Sequence, residues 1–459
     1  MVQKHFWKKL TVSAVVSGLA LGSLLTFYTP SEAKQAENNA KVKNVIFLIG
    51  DGMGPAFNTM YRYLKDDPST PMMESTAFDP YLVGMQKTYP HDHEENITDS
   101  ASAATSMAAG VKTYNGAIAV DTKKQDVKTI LEHAKEQGKA TGLVATSQVN
   151  HATPAAFGAH DESRQNYNDI ADDYYDDLVN GEHKVDVILG GGTNYFERED
   201  RNLVKEFKKD GYSYVTNRQQ LLEDDNDQVL GLFAPVGLDK MIDRTEETPS
   251  LVEMTNAALD RLSNDKDGFF LMVEGSQIDW AGHDNDVVGS MSEMEDFEKA
   301  FKAAIEFAKK DKHTLVVTTA DHSTGGLTIG ANGPYVWNPE IIKATSKTPD
   351  FMAQAIAGGQ AVEEVLSEYI NLDLTSEEIQ SVKAAVEGGT TVIDNAIEAI
   401  INDRTGTGWT TGGHTGVDVN IYAYGPSADK FSGSIENTET GEKLFEVLSN
   451  GKGNGNSKK

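Results

Sequence analysis

Short apolar runs alternate with longer charged stretches along most of the chain. The apolar runs are rich in residues that favour strands, and they occupy residues 45–49, 142–145, 185–189, 269–273 and 314–319. Helix-like stretches separate them, a pattern typical of repeated βα units. The sequence therefore predicts an α/β fold in which a central, largely parallel β-sheet is flanked by helices on both faces.

The 459 residues suffice for one large domain, which we expect to span residues 34–450. From about residue 345 to residue 403 the pattern is helical, and Thr375 and Glu378 have the spacing of a capping box. This region predicts a helical insertion that caps or flanks a functional site. Residues 451–459 contain only Gly, Lys, Asn and Ser, and they predict a disordered tail.

Residues 1–33 have the pattern of a secretory signal peptide. Three lysines precede an apolar stretch over residues 10–27, and the small residues around Ala33 offer a cleavage site. An uncleaved anchor is the alternative, because the stretch is about as long as a short membrane span. We predict cleavage, so that the mature protein is secreted, extracellular or associated with the cell envelope, without a stable membrane span. The chain has no cysteine, which excludes disulfides despite export.

The formal net charge of −29 reflects 70 acidic residues against 41 Lys and Arg residues. Such a chain is not expected to bind nucleic acid or an anionic membrane. An anionic substrate would require local positive charge, which arginine or bound divalent cations can supply. The acidic excess is therefore compatible with metal ligands, although a solvated acidic surface explains most of it.

Carboxylates follow three of the predicted strands directly. Asp51 follows the first, Glu274 the fourth, and Asp321 with His322 the fifth. The carboxyl ends of parallel strands meet at one edge of a sheet, so these side chains are expected to converge there. A dinucleotide fingerprint is the alternative for the glycines around Asp51, but Pro55 stands where its third glycine is required.

Two further segments carry the spacing of metal ligands. Asp279 and His283 are four residues apart, so a helix would project both to one face, where they bind a metal or pair as ions. His414 lies in a glycine-flanked stretch, WTTGGHTG, which predicts a loop and favours a ligand role.

Ser100 opens a run of small residues, so it is expected near a helix N-terminus, where anions are favoured. An ordinary N-cap serine is the alternative. The chain has no G-x-S-x-G elbow, so a metal would have to activate this serine. Downstream, Thr153 offers a hydroxyl ligand beside His151, and Arg164 a fork for two phosphate oxygens or a surface ion pair.

In this order, the segments resemble the alkaline phosphatase family over most of the mature chain, and its secreted bacterial members in particular. The resemblance implies hydrolysis of phosphate monoesters to an alcohol and inorganic phosphate, with an alkaline pH optimum and a phosphoserine intermediate on Ser100. Arg164 would hold the phosphate, and relatives are often homodimers. The resemblance also implies two zinc ions and one magnesium or other divalent ion, held respectively by Asp279, His283 and His414, by Asp51, Asp321 and His322, and by Asp51, Thr153 and Glu274.

Two positions in the expected substrate-binding region depart from the enterobacterial pattern, which has Asp at His151 and Lys at Trp280. His151 leaves the identity and occupancy of the third metal open, and Trp280 predicts weaker retention of phosphate. A phosphodiesterase or phosphomutase would keep the metal ligands but change the nucleophile segment. A sulfatase motif is absent from the sequence. A non-catalytic protein that binds metal or phosphate is the alternative from another class.

Overall fold

The computed structural model describes residues 41–449. The predicted signal peptide and the predicted polar tail lie outside these described residues. The strands within them are β1 Asn44–Gly50, β2 Leu82–Lys87, β3 Ala140–Gln148, β4 Leu178–Val179, β5 Glu182–His183, β6 Val187–Gly191, β7 Ser213–Val215, β8 Val229–Leu232, β9 Phe269–Gly275, β10 Thr314–Ala320, β11 Ser323–Thr324, β12 Thr328–Ile329, β13 Thr407–Gly408, β14 His414–Thr415, β15 Val419–Tyr424 and β16 Gly433–Glu436.

The helices of the same part of the chain lie between these strands. They are α1 Pro55–Lys65, α2 Ser100–Ala109, α3 Ile130–Glu136, α4 Ala152–Gly158, α5 Tyr167–Asp176, α6 Thr193–Phe196, α7 Leu203–Lys209, α8 Arg218–Glu223, α9 Leu251–Leu262, α10 Gln277–Asp284, α11 Val287–Asp311, α12 Glu340–Ala344, α13 Pro349–Ala357, α14 Val362–Tyr369, α15 Ser376–Ala385, α16 Thr390–Thr405 and α17 Asn437–Ser449.

Ten strands form one sheet in the order β16-β2-β15-β10-β1-β9-β3-β6-β8-β7. The run from β10 to β7 is parallel throughout. β15 is antiparallel to both β10 and β2. The predicted α/β fold with a largely parallel sheet is confirmed. The five predicted strands are β1, β3, β6, β9 and β10. The other five strands of this sheet were not predicted: β2, β7, β8, β15 and β16.

Strand β1 is apolar from Val45 to Ile49. All seven of its residues are buried, because helices cover both faces of the sheet. Ile46 and Leu48 belong to the core that includes residues of α9 and α11, whereas Val45, Phe47 and Ile49 belong to the core that includes residues of α2, α4 and α17. Each such fully buried large side chain stabilises the fold by about 1.5–3 kcal/mol.

The region expected to be a helical insertion contains α12 to α16, which run from residue 340 to residue 405. The helices thus extend a few residues beyond the predicted bounds at each end. The capping box is present: the Thr375 hydroxyl accepts from the backbone N–H of Glu378, and the Glu378 carboxylate accepts from the backbone N–H of Thr375. Among the described residues, no helix combines the length and apolar character needed to cross a membrane.

Candidate metal and phosphate site

The register of three central strands places three carboxylates at one level of the sheet edge. Gly50, the last residue of β1, pairs with Ala320 of β10 on one side and with Gly275 of β9 on the other. Asp51 and Asp321 therefore begin the two turns that leave the sheet, while Glu274 lies one residue before the end of β9. The predicted convergence of these side chains is present, and all three are fully buried.

Asp279, His283 and His414 form a first group of ligand atoms. Nε2 of His283 lies 3.3 Å from an Asp279 carboxylate oxygen, and Nε2 of His414 lies 3.6 Å from the other. The two Nε2 atoms are 3.2 Å apart. Nδ1 of His283 lies 2.7 Å from the backbone carbonyl of Gly412, and Nδ1 of His414 lies 2.8 Å from that of Thr98. A carbonyl oxygen only accepts, so each Nδ1 carries the ring proton. In the neutral rings, both Nε2 lone pairs therefore point at one place, as in a metal site.

The electrostatics of the first group favour a cation. The hydrogen bond to Asp279 raises the pKa of His283 to about 9. Burial lowers the pKa of His414 to about 4. The Asp279 carboxylate thus attracts positive charge, which a proton on Nε2 of His283 supplies. A divalent cation would have to displace that proton in order to bind.

The local structure of these ligands follows the sequence with one difference. Asp279 and His283 lie in the first and last turns of α10, on one face, as their spacing predicted. His414 was expected in a loop, but it belongs to the two-residue strand β14, which pairs with β11 immediately after Asp321 and His322. This pairing, rather than free loop conformation, orients the imidazole toward Asp279.

Asp51, Asp321 and His322 form a second, fully buried group. Nε2 of His322 lies 3.2 Å from Asp321 and 3.4 Å from Asp51. One oxygen of Asp321 accepts from the backbone N–H groups of Gly52 and His322, and its other oxygen has no hydrogen-bond partner. Both oxygens of Asp51 also lack a hydrogen-bond partner. Buried carboxylate oxygens without partners are costly unless a cation lies beside them.

Gly52 makes the close approach of this turn possible. Its φ is +69°, and a Cβ atom there would lie 2.7 Å from the Thr324 hydroxyl and 2.9 Å from the Asp279 backbone. Gly52 thus allows the turn after β1 to pack against Thr324 and against Asp279 of the first group.

Asp51 also belongs to a third group, with His151 and Glu274. Burial and the neighbouring carboxylates raise the pKa of Asp51 well above its usual range, and burial raises the pKa of Glu274 to about 7. Thr153 is fully buried in the first turn of α4, and its hydroxyl has no hydrogen-bond partner. One oxygen of Glu274 and Nδ1 of His151 also lack hydrogen-bond partners.

Ser100 is the first residue of α2, and the N-cap is the residue before it, Asp99. The Asp99 carboxylate accepts from the backbone N–H of Ser102 at 3.0 Å, so Ser100 itself is not spent on capping. Its Oγ lies 3.2 Å from Nε2 of His322. The helix N-terminus and the second group thus meet at the Ser100 hydroxyl.

Arg164 reaches this site from the segment after α4. Its Nη1 donates to the Asp99 carboxylate at 2.9 Å, and its Nη2 donates to Nε2 of His151 at 3.1 Å. A guanidinium cannot accept, so Nε2 of a neutral His151 must, which leaves the ring proton on Nδ1. Burial, followed by the charge of Arg164, lowers the pKa of His151 to about 3, so this ring is neutral.

Trp280 lies on α10, between Asp279 and His283 in sequence, and packs against His151, with ring centroids 5.6 Å apart at 74°. On its other side, a Cβ atom on Gly237 would lie 2.6 Å from the indole ring. Trp280 therefore fills the space beside His151 with an apolar ring.

Two residues of this region, Asp99 and Thr324, were not predicted from the sequence. An Asp before a helix of small residues is a capping signal, and Asp99 is the N-cap of α2. Thr324 donates a hydrogen bond to Asp279 and lies 3.2 Å from Nδ1 of His322, so it links the first and second groups. No pattern in the sequence distinguishes Thr324 from a turn residue.

Known proteins are similar to this chain in sequence and in fold. Residues 42–450 match the family described as alkaline phosphatase. Alkaline phosphatase 3 of Bacillus subtilis (strain 168) is 62% identical over 452 residues, which cover 97% of this chain and 98% of the relative. The crystal structure of a cold-active alkaline phosphatase from a psychrophilic Shewanella species has a TM-score of 0.84 at 45% identity, covering 88% of this chain and 99% of that one.

A second similar structure is a histidine-to-glutamate variant of the TAB5 alkaline phosphatase with Mg bound in its M3 site. It has a TM-score of 0.66 at 30% identity, and it covers 89% of this chain and 99% of that chain. The chain belongs to the alkaline phosphatase family. It is an enzyme, and it hydrolyses phosphate monoesters.

Proposed function

We propose that this enzyme transfers the phosphoryl group of a monoester to Ser100 and then to water, at a centre of two zinc ions and a third divalent cation. The observation that carries the proposal is the position of Ser100. Its hydroxyl lies at the start of α2 and 3.2 Å from Nε2 of His322, which itself lies beside Asp51 and Asp321, buried carboxylates with oxygens that lack hydrogen-bond partners. Two changes test the proposal. Replacing Ser100 or removing the metals is expected to abolish turnover, and returning the metals to the wild-type protein should restore it.

The donor atoms fit the proposed cations. Imidazole and carboxylate groups suit zinc, and the first two groups contain both. A carboxylate and hydroxyl set suits magnesium, which the unpartnered oxygens of Asp51, Thr153 and Glu274 could provide. Asp279, His283 and His414 would hold one zinc, and Asp51, Asp321 and His322 the other. When bound, these ions supply Lewis acidity and positive charge for the phosphoryl and serine oxygens.

The chain's own residues account for binding and for the covalent step. Arg164 can donate two hydrogen bonds to phosphoryl oxygens, because its fork matches their spacing. Ser100 Oγ then forms the new bond to phosphorus while the bond from phosphorus to the alcohol oxygen breaks. The serine proton leaves to solvent, and the alcohol oxygen takes a proton from water.

The second displacement regenerates the enzyme. The oxygen of a water molecule bonds to phosphorus, and the bond from phosphorus to Ser100 Oγ breaks. The attacking water loses a proton to solvent, Ser100 Oγ takes a proton from solvent, and inorganic phosphate is released. The positive end of α2 favours the phosphate on Ser100, since helix N-termini stabilise anions. The Asp99 carboxylate holds Arg164 at the same helix end before substrate arrives.

The protonation of His151 determines how this side chain can take part in the third site. While Arg164 donates to Nε2, the Nδ1 proton lets His151 donate to a ligand of the third cation but not coordinate the cation itself. If Arg164 turns toward phosphate, Nε2 becomes free to coordinate. The magnesium reported in the M3 site of the TAB5 glutamate variant supports a third site in relatives with a carboxylate substitution. In this chain, the ion at the third site depends on His151.

Trp280→Lys is expected to strengthen the binding of inorganic phosphate. A lysine there would add a positive charge near the phosphoryl site, worth about 1 kcal/mol at a partly exposed position and thus about a fivefold lower inhibition constant. Turnover should fall if product release limits it. The inhibition constant of phosphate should be compared among wild type, Trp280→Lys and the control Trp280→Phe, which keeps an aromatic ring. An unchanged constant in the lysine variant would contradict this role.

We also propose that the enzyme is exported, because residues 1–33 have the pattern of a signal peptide. A homodimer remains an expectation from the family resemblance. The residues proposed above would contact the phosphoryl group of the substrate. They therefore do not specify the alcohol portion of the physiological substrate.

A further inference from the structure

We propose that Asn115 is a positioning residue that fixes the nucleophile Ser100 relative to the phosphate clamp Arg164. Asn115 lies in the segment after α2, outside the three groups of ligand atoms. The inference rests on the proposed function, since it concerns the geometry of the residues to which that function assigns the phosphoryl transfer.

The Asn115 side chain uses its full hydrogen-bonding capacity on the segment that leads into α2. Its carboxamide oxygen accepts from the backbone N–H of Asp99 at 3.0 Å and from the Ser102 hydroxyl at 2.9 Å. Its amide group donates to the backbone carbonyls of Ile97 at 2.9 Å and Glu95 at 3.3 Å. One side chain therefore holds the residues before and after Ser100 together.

The next residue, Gly116, extends this contact to the clamp. Its backbone N–H donates to the Asp99 carboxylate at 3.0 Å, and its carbonyl accepts from the backbone N–H of Arg164 at 2.7 Å. The same carboxylate oxygen of Asp99 accepts from the Arg164 guanidinium at 2.9 Å. Residues 115 and 116 thus form a splint, bonded to the start of α2 at one end and to both the backbone and, through Asp99, the side chain of Arg164 at the other.

The splint explains how two distant parts of the chain hold one phosphate. Ser100 and Arg164 are 64 residues apart in the sequence, yet the neighbours of Ser100, Asp99 and Ser102, bond to Asn115 and the backbone of Arg164 bonds to Gly116. A displacement of about 1 Å between reacting groups can cost about a hundredfold in rate. Asn115 therefore contributes to the reaction through the placement of Asp99 and Ser100, without touching the phosphoryl group.

Asn115→Asp is the sharpest test, because it keeps the shape and the accepting oxygen but replaces the donating amide with an oxygen. That oxygen would face the carbonyls of Ile97 and Glu95, and the new charge would lie near Asp99. In the metal-loaded enzyme we expect kcat/KM to fall by about 10-fold to 100-fold, and the inhibition constant of inorganic phosphate to rise by about tenfold. Asn395→Asp makes the same change on the exposed face of α16, where the amide donates only to Thr391, and should leave both unchanged.

A double-mutant cycle separates positioning from a general structural role. If Asn115 acts through the clamp, Asn115→Asp should change the phosphate inhibition constant by less than about twofold when Arg164 is already alanine. A loss of the same size in both backgrounds would overturn the proposal. So would a folded Asn115→Asp variant with the wild-type inhibition constant.

A second variant decides the matter if Asn115→Asp does not fold. Ser102→Ala removes the hydroxyl that donates to Asn115, without a change of charge. It should raise the phosphate inhibition constant by about twofold to fivefold, and an unchanged constant would overturn the proposal. Ser100→Ala is assayed beside these variants. If Ser100→Ala keeps wild-type turnover, the proposed function fails. If Ser100→Ala is inactive but the Asn115→Asp and Ser102→Ala variants keep the wild-type inhibition constant of phosphate, only the role of Asn115 fails.

Discussion

Ser100→Ala is expected to lower the turnover of p-nitrophenyl phosphate by about three to six orders of magnitude, the range found when an enzyme loses its nucleophile. The variant has no oxygen to accept the phosphoryl group. The metal ligands and Arg164 are unchanged, so the protein should still bind zinc and inorganic phosphate. Steady-state kinetics, metal analysis and phosphate binding on one preparation measure all three quantities.

The matched control for this variant is Ser102→Ala, two residues along the same helix. The Ser102 hydroxyl is directed to Asn115 and to Thr98 rather than to His322. Its loss should leave turnover within about tenfold of wild type. Turnover that survives in Ser100→Ala but disappears in Ser102→Ala would mean that the nucleophile has been assigned to the wrong serine.

Removal of the divalent cations is expected to abolish activity, and zinc with magnesium should restore it. The metal-free centre holds several buried carboxylates with oxygens that lack hydrogen-bond partners, including Asp51, Glu274 and Asp321. Without cations, Arg164 alone would have to offset the charge of an incoming phosphate, and turnover should fall by at least about a thousandfold. Activity assays after chelation, and after each metal is returned separately, measure this effect. Activity that is indifferent to chelation would contradict the metal assignment.

The return of metal should depend on pH in a defined direction. Cations bind ionised carboxylates and neutral imidazoles, so they compete with the protons on these groups. The pKa of Glu274 is raised to about 7, so affinity at the third site should fall as the pH drops below about 7, by up to about tenfold per unit. The pKa of His283 is raised to about 9, so zinc binding to the first group should also weaken below that value. Calorimetric titrations between pH 6 and pH 9 check both, and pH-independent affinities would contradict this account.

The raised pKa of Glu274 also affects the stability of the metal-free protein, which should fall as the pH rises, whereas metal affinity should increase. Its pKa in the folded state lies above its ordinary value near 4.5, so the folded state holds a proton that the unfolded chain has released. The contribution of this group to stability is therefore present below about pH 4.5 and is lost as the pH rises through about 7. Bound cations remove this penalty, because they stabilise the ionised carboxylate.

Much of the fold could be predicted because buried parallel strands leave a strong signal. β1, β9 and β10 are covered on both faces, so β1 and β9 contain apolar runs of five residues, and β10 combines Leu and Val with threonines that favour strands. A carboxylate lies at or next to the end of each strand. Strands such as β2 are partly exposed and β7 has only three residues, so neither departs far from the composition of a loop. The convergence of Asp51, Glu274 and Asp321 followed from the topology alone.

The rest of the candidate site depended on contacts that no local pattern encodes. The pairing of β14 with β11 places His414, and a hydrogen bond across residues 151 and 164 sets the ring proton of His151. Asn115 shows the same limit, since its role arises from bonds to residues 13 to 20 positions earlier in the chain. Single residues with such partners look ordinary in sequence, and only the tertiary structure distinguishes them.

A phosphoserine on Ser100 would determine the stereochemical course of the reaction at phosphorus, which can be measured. Each in-line displacement inverts the configuration of the phosphoryl group. Transfer to Ser100 followed by transfer to an acceptor therefore gives overall retention, which can be read by using a monoester made chiral with oxygen isotopes and an alcohol as the final acceptor. We predict retention. Inversion would show a single displacement without a covalent intermediate and would contradict the role of Ser100.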